Sequence, residues 1–140
     1  MRLLDAADRP SGALRDRLID KGYDDETVAA VVDRLIEVGL VDDESYAQSA
    51  VRYCVGRLMG YRGAVMELAR KGVDRPLAER VCDEARMSGV FEDAAWELGR
   101  RAAKTQGMDP KVRKRRFWSS GGRKGHDAET LRAVAHELFD

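Results

Sequence analysis

Three copies of a four-residue phrase constrain this chain more than any other feature: Lys21-Gly22-Tyr23-Asp24, Lys71-Gly72-Val73-Asp74 and Lys124-Gly125-His126-Asp127. Lysine in a last helical turn faces the negative end of the helix dipole, and glycine just beyond it takes the left-handed backbone conformation that other residues avoid. Aspartate then opens the next helix as its N-cap, accepting a hydrogen bond from an otherwise unpaired first-turn N–H. Each phrase therefore predicts a corner between two helices. The three glycines stand 50 and then 53 residues apart, the spacing of an internal repeat. At the offset of 50, Leu18 falls on Leu68, Val31 on Val81, Gly39 on Gly89, Asp43 on Asp93 and Tyr46 on Trp96. At the offset of 53, Val134 falls on Val81 and Leu138 on Ala85.

Apolar spacing supplies the helices around the corners. Residues 1–7 read as a short helix, and Ser11 as the cap of a second that carries Leu14 and Leu18. Asp24 caps a third, with Val28, Val31, Val32, Leu35 and Ile36 in an i, i+3, i+4 stripe ended by Gly39. Leu40-Val41 and the caps Asp42-Asp43 open the longest helix, to about Leu58, with Tyr46, Ala50, Tyr53, Cys54 and Leu58 along one side. Residues 62–71 and the helix from Asp74 repeat the earlier pair, and Val90-Phe91-Glu92-Asp93 repeats the step before Asp43. Trp96, Gly99, Ala102 and Ala103 continue a narrow stripe, Gly107 breaks it, and Asp109-Pro110 is a further capped start. Ser119-Ser120-Gly121-Gly122 interrupts the pattern and predicts a loose hinge before the third corner. A last helix faces Leu131, Val134, Ala135 and Leu138 inward.

The expected fold is therefore all-α: nine helices in three tandem three-helix repeats, at residues 1–39, 40–89 and 90–140, with helix-turn-helix-like corners at Gly22, Gly72 and Gly125. Repeats of this size stack in a row rather than around one centre. In the first repeat the long helix is cut short, since nothing stands opposite residues 43–50, and that end is expected to fray or to borrow a neighbouring surface.

With 6% aromatic and 36% charged residues, stability must come from aliphatic stripes between adjacent helices. Net charge is zero but unevenly placed: 8 basic and 12 acidic groups in residues 1–60, 9 and 8 in residues 61–108, 8 and 5 in residues 109–140. A basic end implies an anionic partner. Cys54 and Cys82 lie outside any CxxC spacing and read as buried, reduced thiols, while His126 and His136 alone give no metal-ligand pattern. No apolar run reaches the ~20 residues of a membrane span and no signal peptide opens the chain, so a reducing cytoplasm is expected. The acidic pairs Asp24-Asp25 and Asp42-Asp43 sit where caps belong, and no phosphate loop or serine–histidine pairing points to catalysis; neither cofactor nor metal is expected.

The strongest functional signal is basic. Lys111, Arg113, Lys114, Arg115 and Arg116 put five positive charges in six residues ahead of Phe117 and Trp118, with Arg123 and Lys124 beyond. Such a cluster can grip phosphates and offer a stacking face, or can form a solvated helix face with an aromatic turned into the core. Tyr61 and Arg62, at a helix junction, and Lys71, at the second corner, join the candidates. Taken as DNA readers, the helices after the corners begin with Asp25-Glu26, with Arg75 and Glu79, and with Ala128-Glu129. Carboxylates are repelled by phosphate, so the corners are better joints than groove readers. Tyr46, Tyr53, Tyr61, Trp96 and Trp118 could anchor an interface, but Tyr46 and Trp96 are equivalent in the repeat and are expected in the core.

The run Leu40-Val41-Asp42-Asp43-Glu44-Ser45-Tyr46-Ala47, with Gly60-Tyr61-Arg62 and Glu67-Leu68-Ala69-Arg70-Lys71-Gly72-Val73, resembles the RecX regulatory proteins of bacteria, as does Leu14-Arg15-Asp16-Arg17-Leu18 with Lys21-Gly22-Tyr23. The resemblance covers nearly the whole chain. It implies a curved, elongated all-helical array that binds the RecA recombinase filament on single-stranded DNA and restrains it, as a monomer, with no catalysis, metal or membrane. DNA would be contacted directly or through the filament. Tyr46, Arg62, Lys71 and Gly72 match the family pattern most closely. Three features depart from it: Gly63 replaces an expected basic residue, the first long helix is short, and residues 119–122 lengthen the approach to the third corner. Two other readings stand beside this one, a helix-turn-helix-like DNA-binding protein acting without recombinase and a general helical-repeat adaptor.

Overall fold

In the computed structural model, which describes residues 9–140, every regular element is a helix: α1 (Ser11–Asp20), α2 (Asp25–Glu37), α3 (Asp43–Gly56), α4 (Tyr61–Arg70), α5 (Arg75–Met87), α6 (Val90–Ala103), α7 (Pro110–Arg123) and α8 (Ala128–Phe139). The helix expected over residues 1–7 lies outside the described residues. All three corners form alike. Gly22, Gly72 and Gly125 take φ of +97°, +102° and +85°. In each, the glycine N–H bonds the carbonyl three residues back and the next N–H bonds the carbonyl five back, as in Tyr23 to Leu18, Val73 to Leu68 and His126 to Gly121. Asp24 and Asp127 then cap the following helix, each accepting the N–H of a threonine three residues on at 2.7 Å. Asp74 holds the same position without a side-chain cap, and Pro76 in the first turn leaves one N–H fewer to satisfy.

The interior is three clusters in a row. Leu14, Leu18, Val28, Val32, Leu35 and Val41 form the first; Ala47, Val51, Cys54, Ala64, Val65, Leu68, Val81, Cys82 and Phe91 belong to the second; Ala95, Phe117, Leu131, Val134 and Ala135 form the third. Within units the main pairs are α1–α2, then α3, α4 and α5 with one another, then α6, α7 and α8 with one another; α5–α6 and α3–α6 join the last two units. The apolar steps act as plugs: Val41 packs into the first cluster and Phe91 into the second.

Several stripes differ from the sequence expectation. On α2 only Val28, Val32 and Leu35 are buried, while Val31 and Ile36 are exposed, because among the described residues α1 is its principal helix partner. Helix α3 buries Ala47, Ala50, Val51 and Cys54, a face rotated from the expected one, and leaves Tyr53 54% exposed. It ends at Gly56, with Leu58 in a left-handed conformation at φ +62°, so it is no longer than α6 or α7 at 14 residues each. In the third unit Gly89 turns the chain at φ +85° and α6 starts at once with Val90, so Asp93 lies inside the helix and caps nothing. Both cysteines are buried and unpaired, and burial raises their thiol pKa values, that of Cys82 to about 12.

The units meet through backbone. A Cβ on Gly12 would collide with the Gly72 carbonyl, and one on Gly63 with the Lys124 carbonyl, so a glycine on each side lets a corner rest directly on the first turn of a helix in the unit before. At the first joint the Asp43 carboxylate accepts the N–H of Ser11 at 2.7 Å and also its hydroxyl proton. Ser11 is therefore the first residue of α1, capped from α3, rather than the cap itself. At the second joint the Gly60 N–H bonds the Lys124 carbonyl at 2.8 Å, Lys124 Nζ donates to the Arg57 carbonyl at 2.9 Å, and His126 Nε2 pairs with the Leu58 carbonyl at 2.8 Å.

No hinge precedes the third corner. Helix α7 runs unbroken through residues 119–122, and Gly121 is there because Leu131 of α8 fills the space a Cβ would need. Gly122, one residue on, faces nothing within 4 Å. Gly63→Ala is accordingly expected to destabilise the protein by about 2 kcal/mol through overpacking against backbone, whereas Gly122→Ala should stabilise it by about 0.5–1 kcal/mol through helix propensity. Urea unfolding of the two variants checks both signs.

Candidate basic binding surface

Helix α7 carries most of the basic cluster and divides it. Pro110 at its start and Asp109, which accepts the Lys111 N–H at 2.8 Å, fix the first turn and so the phase of every later residue. That phase turns Phe117, 1% exposed, and Gly121 inward, with Trp118 half-buried against the third cluster. Phe117 is therefore closed as a stacking face, and Trp118 is covered in part. Arg113 points the same way: its Nη1 donates to the Ala103 carbonyl at 3.4 Å, and its Nε is buried without a partner. Lys114 Nζ lies 2.6 Å from Asp140, whose carboxyl it holds below the usual range. Lys111, Arg115 and Arg116 remain exposed on the outer face.

The other end of α7 enters a groove at the second joint. Tyr53, Arg57, Met59, Glu67, Arg123 and Lys124 line it, around a volume of about 390 Å³. Arg57 Nη1 donates to the Tyr53 hydroxyl at 3.2 Å, and Lys71 Nζ stands 5.0 Å from the centre of the Tyr53 ring. Four cations thus gather around one exposed tyrosine. The single carboxylate, Glu67, is engaged by Arg70 at 2.5 Å and lies 3.9 Å from Lys71, and the Arg70 hydrogen bond holds it below its ordinary value. Arg123 donates to Ser119 Oγ one turn back, which lays its side chain along α7.

Tyr61 and Arg62 face a separate cleft of about 400 Å³ on the same joint, lined also by Arg86, Phe91, Glu92, His126, Asp127 and Thr130. The Tyr61 ring meets Phe91 edge-on at 6.1 Å and lies under the Arg86 guanidinium at 4.1 Å. Asp83 beside the phenol, with burial, pushes its pKa up to about 12. Tyr61 is committed to packing, while Arg62 is exposed at the cleft rim.

Of the sequence candidates, Lys71, Arg123 and Lys124 come together; Lys111, Arg115 and Arg116 share the outer face of α7; Arg62 stands apart; Tyr61, Arg113 and Lys114 have partners of their own. Of the groove residues, Arg57 has no functional role in the sequence analysis, and Tyr53 enters it as a member of an inner stripe and as one of five aromatics that could anchor an interface. Their i, i+4 spacing was the available signal.

Comparison with known proteins points one way. A family model described as the first three-helix domain of RecX matches residues 1–35. The regulatory protein RecX of Thermobifida fusca is 35% identical over 99% of this chain and 76% of its own length, and that of Streptomyces lividans 31% identical over 99% and 74%. The RecX protein of a Mycobacterium strain is 48% identical over 77 residues, 53% of this chain; the match spans 41% of that relative. A crystal structure of RecX from Lactobacillus salivarius superimposes with a TM-score of 0.77 at 20% identity, over 93% of this chain and 85% of that one, a likeness of fold.

The buried His126 makes the second joint sensitive to acid. Burial lowers its pKa below 6.5, outweighing the Leu58 carbonyl and Asp127, while Lys124 pushes the same way as burial. A base whose folded pKa is depressed contributes stability that is fully present above the unfolded value and lost as pH falls through the folded value. The urea midpoint should therefore fall between about pH 7.5 and pH 5, and His126→Gln should flatten that fall; Asp127, itself lowered, acts only below about pH 4.

Proposed function

Because the chain belongs to the RecX family of regulatory proteins, we propose that it binds the RecA recombinase filament on single-stranded DNA and restrains its strand exchange and ATP hydrolysis. The action is binding rather than catalysis, by a monomer in the reducing cytoplasm. Among the described residues no helix is long and apolar enough to cross a membrane. The observation that carries the reading beyond the family is the third unit's surface, where Lys111, Arg115 and Arg116 lie exposed along α7 while Lys114 is taken up by Asp140. A row of rigidly joined units, basic towards one end, suits an extended and anionic partner: it can lie along a filament groove, touch neighbouring protomers and resist their rearrangement.

Two measurements test this. RecA-dependent strand exchange and ATP hydrolysis should fall when the protein is added at stoichiometric amounts, and unchanged activities would overturn the proposal. Charge reversal at Lys111, Arg115 and Arg116 should weaken filament binding with helicity intact and reduce the salt slope of binding by about 2, at roughly 0.7 for each single-strand phosphate no longer neutralised. Steep salt-dependent binding to DNA alone, with no effect on the recombinase, would instead favour a DNA-binding protein acting by itself.

A further inference from the structure

We infer that the groove at the second joint is a single-stranded DNA site in which a base stacks on Tyr53 while Arg57, Lys71, Arg123 and Lys124 take the adjoining phosphates. The inference rests on the filament reading and narrows it to direct contact with the DNA at named residues.

Tyr53 is the starting observation. A tyrosine 54% exposed in the last turn of a helix contributes little to the core beside it. Its ring is nevertheless held in place, with Arg57 Nη1 on the hydroxyl at 3.2 Å and Lys71 Nζ 5.0 Å from the ring centre. A pinned, exposed ring loses little side-chain entropy when a second flat group covers it. Charge surrounds it on one side of the balance only, because Glu67 is already engaged by Arg70 and near Lys71. The walls are fixed as well. Lys124 is anchored on the Arg57 carbonyl and the Gly60 N–H, so the two units cannot part without breaking those bonds.

The occupant follows from the combination of ring and charge. An acidic peptide would answer the cations but would leave the Tyr53 ring and the neighbouring Met59 without a counterpart. Duplex DNA offers phosphates, but its bases are stacked on one another and closed to the ring. A single strand offers both groups at once, and this pairing of a cationic track with an aromatic platform is how strands are held without regard to sequence. The track continues beyond the groove. Arg123, Ser119 and Arg116 follow one another at i, i+4 and i, i+3 along α7, and Arg116 stands about 10 Å from Arg123 at 1.5 Å per residue. A strand seated on Tyr53 can therefore run up the outer face of α7 towards Arg116 and Arg115.

The test is anisotropy of a fluorescent oligothymidylate with the full chain, beside an abasic oligomer of the same length and a matched duplex. Tyr53→Ala should weaken oligothymidylate binding about tenfold with its salt slope unchanged, and Tyr53→Phe should bind within about twofold of wild type. On the abasic strand wild type and Tyr53→Ala should bind alike. Arg57→Glu with Arg123→Glu should weaken binding to both strands. Unchanged binding by Tyr53→Ala, equal affinity of wild type for abasic and base-bearing strands, or equal affinity for duplex would each overturn the inference. Recombinase ATP hydrolysis measured in parallel separates it from the filament reading. Loss of inhibition by Tyr53→Ala with normal oligothymidylate binding would make the groove a protein contact and sink the inference alone. Tyr53-dependent DNA binding without any effect on the recombinase would support the inference and sink the filament reading.

Discussion

Backbone resting on backbone at the second joint is the contact on which the rest of this structure depends. Gly125 sits against Gly63 and Arg62 with no side chain between, close enough for the Gly60 N–H to reach the Lys124 carbonyl at 2.8 Å. A contact of this kind gains little from hydrophobic area. It is held by a few hydrogen bonds, each worth about 1 kcal/mol net, by the plug residue Phe91, and by the absence of anything that could wedge it open. The first joint reaches a similar approach by another route. Pro10 stands at the offset of 50 from Gly60 and has no N–H to offer, and Asp43 compensates by holding the first N–H and hydroxyl of α1 from across the unit boundary. Asp43 is free to do so because Asp42 serves as the cap of α3.

Glycine shows where sequence is legible and where it is not. Gly22, Gly72 and Gly125 could be read because the requirement they meet is local: the residues on either side make a helix end and a helix start, and only one backbone conformation connects them. Gly63 and Gly121 meet requirements set from a distance. Beside Arg62, Gly63 reads as a missing basic residue, and beside Ser119 and Ser120, Gly121 reads as part of a flexible linker. Each is instead the place where another unit or helix comes closest, and that partner, Lys124 in one case and Leu131 in the other, lies far along the chain or beyond a corner. The sequence of a loose linker and that of a close-packed helix face can be the same.

The basic cluster and the aromatic residues follow the same rule. Charge density along residues 111–116 was visible, but which charges face solvent depends on the phase of α7, set by Asp109 and Pro110, and on Asp140 at the far end of α8. By helical spacing Tyr53 belongs to an inner stripe with Tyr46, Ala50, Cys54 and Leu58. Ala50 and Cys54 of that row are buried, but Ala47 and Val51 join them in place of Tyr53 and Leu58, and the small alanines let α3 sit close to its neighbours with the tyrosine outside.

The third corner is consequently both a joint and one wall of the cationic groove. Lys124 spends its carbonyl and one ammonium proton on the joint and still presents its charge to the groove, while His126, two residues on, ties the corner to the end of α3 where Arg57 stands. An anion seated among Arg57, Lys71, Arg123 and Lys124 would draw the two sides of the joint together, since those cations belong to two units and repel one another when the groove is empty. Linkage then requires the converse: whatever closes the joint raises affinity in the groove, and whatever opens it, a Cβ on Gly63 or a proton on His126, lowers that affinity by the same factor. Closure of the joint and affinity for an anion in the groove would therefore be coupled at this corner.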